Sequence, residues 1–232
     1  MNSSKQHWFP RQMPMYLALS KSLRVVALLL MLPCGGCGLS LLANDTAGTS
    51  TMPAEFVPPK EPTLVLVENY RSAAAGDADS DRLASLIGQE LKDNKVAPLV
   101  DVAALADLRD RDLDAYRKMS VADIGRAVGA KQVVYVNVYD YSTEAPIAGD
   151  MVKWKASVKV KIVDSQTGAL RWPQDLADGD PVNAETNYKE VDPEKGDILV
   201  RDQMNKLLAQ KIGNLFHDWQ KDADDGSDYG QQ

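Results

Sequence analysis

Two long stretches near the middle of the chain decide the fold: Gln132 to Tyr141 reads QVVYVNVYDY, and Val152 to Asp164 reads VKWKASVKVKIVD. Both alternate between aliphatic side chains and polar or aromatic ones, which is typical of strands with one buried face. Only about ten residues separate them, so we predict that the two strands pair in antiparallel fashion. Because the alternation fixes which side is buried, the aliphatic side should pack against helices.

Shorter elements lie on both sides of this pair. Thr63 to Glu68 is an apolar run typical of a buried strand, and Ser80 to Asn94 has apolar residues at helical spacing. Ser120 and Asp123 form an S-x-x-D pattern that predicts the start of another helix. Further predicted elements are strands at 96–101, 169–172 and 182–188 and helices at 101–111 and 197–221. This order predicts an α+β fold with a mixed, largely antiparallel sheet and helices packed mainly on one face.

The second side of the strand pair carries tyrosine and lysine. By alternation it holds Tyr135, Tyr139, Tyr141, Lys153, Lys155, Lys159 and Lys161. One interpretation is a docking face for an acidic partner, where tyrosine supplies rigid contact area and lysine steers association. The other is a solvated sheet face, where lysine stems cover the tyrosine rings and no partner binds. The residues themselves leave both interpretations open.

The amino-terminal 36 residues carry four basic side chains and no acidic one, and VVALLLML at Val25 to Leu32 forms an apolar core. Such a segment predicts an export signal. As a helix the core would rise about 12 Å, too little to cross a hydrocarbon layer of about 30 Å. Translation could start at Met1, Met13 or Met15. Removing the segment changes the formal charge from −7 to about −11, so we expect no nucleic-acid partner.

This segment ends in Cys34-Gly-Gly-Cys37, which resembles the cleavage box of bacterial lipoprotein signals. The resemblance implies cleavage after Gly36 and acyl chains on Cys37 that hold the protein on a membrane. Cys34 stands where leucine is usual, and whether it has a role of its own is left open. A plain secretory signal and a redox C-x-x-C pair are the alternatives.

We therefore predict four regions along the chain. They are a lipoprotein signal at 1–36, a lipidated tether at 37–62, a folded domain at 63–220 and an acidic disordered tail at 221–232. The tether prediction is based on a stretch rich in Pro, Ser and Thr that lacks apolar periodicity. The tail prediction is based on four aspartates interleaved with Gly and Gln.

Residues for common catalytic chemistries are scarce. With two Cys and two His in the whole chain, we predict no metal site, no cofactor and no catalytic residue. His217 is expected at the rim of the last helix. Phosphate-binding and dinucleotide-binding glycine motifs are absent from the sequence. A carrier or chaperone for an apolar ligand in the periplasm, and a hydrolase that uses two carboxylates, remain as alternatives.

Four segments together resemble a known group of bacterial envelope proteins. They are TLVLVENY at 63–70, SVADIGRAVGA at 120–130, QVVYVNVYDY at 132–141 and VKVKIVDSQTGALRW at 158–172. Over 63–219 the chain is similar to the curli-secretion CsgG family, to the LpoB-like activators of penicillin-binding proteins and to the TolB amino-terminal domain.

The resemblance implies a non-enzymatic lipoprotein of the cell envelope, facing the periplasm from the outer membrane. Such a protein would bind or regulate another envelope component, such as a cell-wall synthase or a secretion machine. A membrane pore is disfavoured, because the segment 142–151 is too short to supply strands of about ten residues each.

Overall fold

The computed structural model describes residues 49–69, 78–144, 151–190 and 198–222. The chain divides into a compact unit, Thr51–Gln220, and a second unit made of Met1–Ser50 with Lys221–Gln232. Of the second unit the structure describes only the outer ends of two strands. The elements in chain order are β1 (Thr49–Met52), β2 (Thr63–Asn69), α1 (Ala78–Asp93), α2 (Val102–Arg111), α3 (Leu113–Tyr116), α4 (Val121–Ala127), β3 (Gln132–Glu144), β4 (Met151–Asp164), β5 (Leu170–Trp172), β6 (Asp180–Glu185), β7 (Lys189–Glu190), α5 (Ile198–Asn214) and β8 (Trp219–Asp222).

The main sheet has six strands. β2 runs parallel to β3, whereas β3 pairs with β4 in antiparallel fashion and β5, β6 and β7 all pair with β4. β1 and β8 form a separate two-stranded sheet. The prediction of an α+β fold with a mixed, largely antiparallel sheet is therefore confirmed, as is the pairing of the two long strands.

The first face of the sheet is aliphatic and lies under the two long helices. Val134, Val136, Val158, Val160 and Ile162 are buried there. Helices α1 and α5 cover them with residues at helical spacing. The helix residues buried against this face are Leu83, Ala84, Ile87 and Leu91 from α1, and Val200, Met204, Leu208, Ala209 and Ile212 from α5.

Among the described helices, the three short ones cover part of the second face, so helices pack on both faces and the two long ones lie on the first. Leu64, Leu66, Val133 and Tyr135 of β2 and β3 are buried against α2, α3 and α4, which contribute Leu105, Tyr116 and Ile124. Helix α4 approaches closely at Gly125. A Cβ at that position would lie 2.5 Å from both Ser165 Oγ and Val133 Cγ2. The second face therefore has a part that these helices cover and a part that no described helix covers.

The start of α4 follows from local chemistry. The Ser120 side chain accepts from the Asp123 backbone N–H, and Asp123 accepts from the Ser120 backbone N–H, so the predicted cap is confirmed as a capping box. The strand predicted at 96–101 is wrong. Only an isolated bridge links Thr63 to Leu99 there, since Pro98 has no N–H to donate to a ladder.

The amino-terminal boundary of the folded unit also differs from the prediction. Residues 51–62, assigned above to the tether, belong to the compact unit. The backbone N–H groups of Glu55 and Phe56 donate to the carbonyl of Leu215. The Phe56 ring stacks on Trp172 at 6.2 Å, and Trp172 meets Phe216 edge-on at 5.6 Å. Helix α5 accordingly ends at Asn214 rather than near 221, because the chain turns there to meet this arm. The predicted signal, the predicted acylated Cys37 and most of the predicted tail lie outside the described residues.

Arg171 joins several elements at one end of the sheet. Its guanidinium donates to Asp164 at 2.6 Å, to Glu61 at 2.8 Å and to the buried Gln132 at 2.9 Å. Asp164 also accepts from the backbone N–H groups of Thr167 and Gln166. These backbone bonds, together with Arg171, hold the pKa of Asp164 far below its usual range. The carboxylate is thus a structural acceptor in its charged form.

Candidate functional site

A β-bulge in β3 decides how the predicted tyrosine–lysine face is built. Val138 lies opposite Val158, but Asp140 lies opposite Ser157, so Tyr139 is an extra residue in the ladder. An inserted residue exchanges the faces of everything beyond it. Tyr141 therefore lies opposite Ala156 and belongs to the first face of the sheet.

The prediction that all three tyrosines share one exposed face is consequently corrected for two of them. Tyr135 is only 4% exposed beneath the short helices, and its hydroxyl donates to Glu68 at 2.7 Å. Tyr141 packs against Trp154 at 5.1 Å between centroids, and its hydroxyl donates to Asn205 at 3.0 Å. Tyr139, which is 43% exposed, alone remains an accessible ring.

The four lysines meet acidic or carbonyl oxygens of the same chain. Lys153 pairs with Glu185 at 3.0 Å, Lys155 with Glu144 at 2.5 Å and Lys159 with Asp178 at 3.0 Å. The Lys161 ammonium lies 5.3 Å from the centroid of the Tyr135 ring and 3.4 Å from the carbonyl of Ala177. The predicted basic surface is therefore a surface of mixed charge.

The pKa values of these groups follow from the pairing. The hydrogen bond between Lys155 and Glu144 raises the pKa of the lysine and lowers that of the carboxyl. The hydrogen bond that Asp178 accepts from Lys159 likewise lowers the pKa of Asp178. Exposed pairs of this kind add little stability. Their main effect is to cancel the field that would have steered an acidic partner.

We call the part of the second face that no described helix covers the open half. It is built by the middle of β3, β4 and β6, where Asn137 lies opposite Lys159, and Ser157 lies opposite both Asp140 and Asn183. The Asn137 Oδ1 atom is buried without a hydrogen-bond partner among the described residues. The open half consists of Asn137, Asp140, Lys155, Ser157, Lys159 and Asn183, together with Tyr139, the exposed bulge residue between Val138 and Asp140.

A second feature, which the sequence does not predict, lies on the first face beside residues 79–83 of α1 and 201–205 of α5. It is a cleft of about 270 Å³. The lining residues come from both helices and three strands: Asn69, Asp79, Ser80, Leu83, Val138, Tyr141, Trp154, Arg201 and Asn205. The sequence contains one indication of this cleft, because Trp154 is the one aromatic residue on the aliphatic side of β4.

The cleft combines aromatic walls with charged and amide groups. Arg201 lies 5.6 Å from the Trp154 ring centroid, and its Nη1 donates to Asp79 at 3.2 Å. Trp154 is 8% exposed, and within the described ranges its indole Nε1 has no hydrogen-bond partner. The carrier hypothesis predicted an apolar cavity of several hundred Å³. The cleft is smaller and polar on one side, so it does not fit an apolar cargo.

The structure describes some of the residues that metal binding, catalysis or membrane insertion would require. In the part of the chain that the structure describes, no group of three or more His, Cys, Asp or Glu side chains could hold a metal ion. His217 lies beyond the end of α5, with Nδ1 2.8 Å from the backbone oxygen of Asp218. None of the helices described is long and apolar enough to span a membrane. Cys34 and Cys37 lie outside the described residues.

No protein-family model matches the chain, and no curated protein matches it either. Several solved structures are similar over part of it. The hypothetical protein CT253 from Chlamydia trachomatis has 12% identity and a TM-score of 0.42, with 66% of this chain and 94% of that one covered. Lipoprotein GNA1162 from Neisseria meningitidis has 14% identity and a TM-score of 0.40, with 62% and 96% covered. The LpoB C-terminal domain from Escherichia coli has 16% identity and a TM-score of 0.34, with 55% and 83% covered.

Proposed function

We propose that this protein is a lipid-anchored, non-enzymatic protein of the cell envelope that binds or regulates another envelope protein through the open half. A cell-wall synthase or a secretion or assembly machine is the class of partner. The observation that carries the proposal is Tyr139. It is an exposed aromatic side chain at a β-bulge, next to Asp140 and to the part of the second face that no described helix covers.

The chemistry of the open half suits recognition of a protein. Tyrosine is enriched at the centre of protein interfaces because it buries much area at small entropic cost. A bulge redirects a side chain and is conspicuous at functional sites. The lysine–carboxylate pairs around it, Lys155 with Glu144 and Lys159 with Asp178, would fix register more than affinity. We therefore propose a partner surface of mixed charge rather than an acidic one.

The position in the envelope rests on the amino-terminal sequence. A basic region, an apolar core and Cys37 after two glycines support acylation of Cys37 and insertion of its acyl chains into a membrane. We propose the periplasmic side of the outer membrane as the location.

The proposed surface is tested by affinity capture of the envelope partner with the full chain. The variant is Tyr139→Ala, and the matched control is Val102→Ala on α2, which removes an apolar side chain that is 55% exposed. We expect Tyr139→Ala to lower recovery of a specific partner about tenfold or more, since a hot-spot truncation costs about 2 kcal/mol. Equal recovery with both variants would show that the open half is not the binding surface.

The anchor is tested separately by metabolic labelling with palmitate. Cys37→Ser should abolish labelling, because the thioether sulfur is lost, whereas Cys34→Ser should leave it intact. Labelling that persists in Cys37→Ser and disappears in Cys34→Ser would move the anchor to Cys34.

A further inference from the structure

We propose that the first part of the amino-terminal arm, residues 51–57, is a detachable strap. The strap leaves the domain by local opening while the rest of the fold stays intact, and its opening lengthens the tether between the domain and the anchor at Cys37. The lengthening rests on the proposed function, because it requires acylation of Cys37. The opening itself does not depend on the anchor and goes beyond the proposed function.

The second part of the arm, residues 58–62, is fixed to the sheet. The Pro59 carbonyl accepts from the Nε2 atom of Gln132 at 2.9 Å, and the Gln132 side chain is fully buried. Glu61 accepts from the Arg171 guanidinium at 2.8 Å. A buried amide and an ion pair therefore hold this part of the arm in place, and we expect it to stay closed when the strap opens.

The strap itself is held by hydrogen bonds to the segment that follows α5. The backbone N–H groups of Glu55 and Phe56 share one acceptor, the Leu215 carbonyl, at 2.9 and 3.0 Å. The Ala54 N–H donates to the exposed side chain of Asp218 at 2.9 Å. β1, which overlaps the start of the strap, belongs to the separate two-stranded sheet and not to the main one. Backbone segments with few bonds near solvent open at lower cost than core strands do.

One apolar side chain attaches the strap to the core. Phe56 packs against the core, and its ring stacks on Trp172 at 6.2 Å between centroids. The other large apolar side chains of the strap face solvent, since Met52 is 38% exposed and Val57 is 68% exposed. The closed position of the strap therefore depends mainly on Phe56.

The charges near the strap oppose its docking. Burial, and after it the charge of Asp180, raises the pKa of the Glu55 carboxyl. Burial, and after it the charge of Asp175, raises the pKa of Asp180. A pKa that is raised in the docked state means that ionisation of Glu55 weakens docking. At neutral pH the strap is thus closed against a repulsion between carboxylates.

Opening changes the length of the tether because the strap lies between Cys37 and the fixed part of the arm. With the strap closed, the tether meets the compact unit at Thr51. With the strap open, it meets the domain at Pro58. The seven residues released extend to at most about 25 Å. The domain can then reach a partner that is farther from the membrane.

The opening is tested by hydrogen exchange of the full chain in detergent micelles, measured at single amides by NMR. We expect the amides of Glu55 and Phe56 to be at least about a hundredfold less protected than those of Val134 and Val136 in the core. Their exchange should also be independent of urea below the unfolding transition, because a local opening exposes little surface.

Two neighbouring residues of the strap supply the variant and its matched control. Phe56→Ala should make the Glu55 amide exchange at least about tenfold faster, because the contact with Trp172 is lost. Val57→Ala should change that rate by less than about twofold, because Val57 faces solvent. Phe56→Leu keeps an apolar side chain and should give an intermediate rate.

The lengthening is tested by fluorescence energy transfer from a dye on Val102→Cys, an exposed position on α2, to an acceptor lipid. The acylated full chain is placed in vesicles for this measurement. Adding Phe56→Ala should lower the transfer efficiency, whereas adding Val57→Ala should leave it unchanged. No transfer in any variant would refute the anchor and with it the lengthened tether, whereas hydrogen exchange would still decide the opening.

Three results would overturn the proposal. The first is equal protection and equal urea dependence of the strap and core amides, which would show that the strap opens only when the domain unfolds. The second is the same exchange rate of the Glu55 amide in Phe56→Ala and Val57→Ala. The third is faster exchange in Phe56→Ala with unchanged energy transfer, which would refute the lengthening.

Discussion

The covered part and the open half of the second sheet face share strand β3 but have different surroundings. Val133 and Tyr135 lie under α2, α3 and α4, and both are buried. A few residues further along β3, Tyr139 is accessible, and the lysines around it pair with carboxylates. Alternation determines the side on which a residue lies. Whether that side is buried or exposed to solvent depends on which helices of the connection between β2 and β3 pack against it.

The largest expected difference between the two regions is in stability. Tyr135→Ala should lower the free energy of unfolding by about 3–5 kcal/mol, because it leaves a cavity beneath the short helices and removes the bond to Glu68. Tyr139→Ala should change it by less than about 0.5 kcal/mol. Urea unfolding of both variants measures this. Comparable losses of unfolding free energy in the two variants would mean that Tyr139 is packed against other residues in solution.

The closeness of α4 to the sheet gives the next largest effect. Gly125→Ala should destabilise by about 1–3 kcal/mol, because the new methyl group would overlap Ser165 Oγ and Val133 Cγ2, each 2.5 Å away. The control is Gly88→Ala in α1, where the nearest atom is Leu99 Cδ1 at 3.4 Å. There the gain in helix propensity, up to about 1 kcal/mol, should stabilise the protein. If both glycines respond alike in urea unfolding, α4 is not tightly packed.

The Arg171 network predicts a change with pH. The pKa of Asp164 is lower in the folded protein than in the unfolded chain, mainly through the bond from the Thr167 backbone and through Arg171. Its stabilising contribution is therefore complete above the unfolded pKa of about 3.9 and is lost as the pH falls below it. Asp164→Asn should lower Tm at neutral pH and reduce the fall of Tm under acid conditions. An equally steep fall of Tm at low pH in Asp164→Asn and in the unchanged protein would contradict this prediction.

The smallest effect is expected from the ion pairs of the open half. Lys155→Ala should leave the midpoint of urea unfolding almost unchanged, because the bond of Lys155 to Glu144 is exposed to solvent. The double-mutant cycle with Glu144→Ala measures the pair directly. A clear coupling between the two substitutions would contradict this and indicate that these pairs stabilise the sheet.

The sequence predicts the fold class because its strongest signals are local. The valine alternation in QVVYVNVYDY and VKWKASVKVKIVD indicates the strand pair, and Ser120 with Asp123 indicates the start of α4. The joining of the amino-terminal arm to Leu215 and Trp172 depends on contacts between residues far apart in the chain. Periodicity carries no information about such contacts.

The candidate face was only partly predictable for the same reason. The bulge at Tyr139 changes the side on which Tyr141 lies, and strict alternation does not foresee it. One residue carried a usable signal. Continued alternation would have placed Asp140 among the buried valines, where an unpaired carboxylate is costly. The bulge instead places Tyr141 on that side and keeps Asp140 opposite Ser157.

We propose that the open half is the surface that contacts an envelope partner. The most direct test of this proposal is photo-crosslinking in living cells, with a benzophenone amino acid at Tyr139 in one strain and at Val102 in another. Both positions are exposed, but only Tyr139 belongs to the open half. We expect a discrete crosslinked protein from position 139 and none from position 102. The same product from both positions, or no product from position 139, would contradict it.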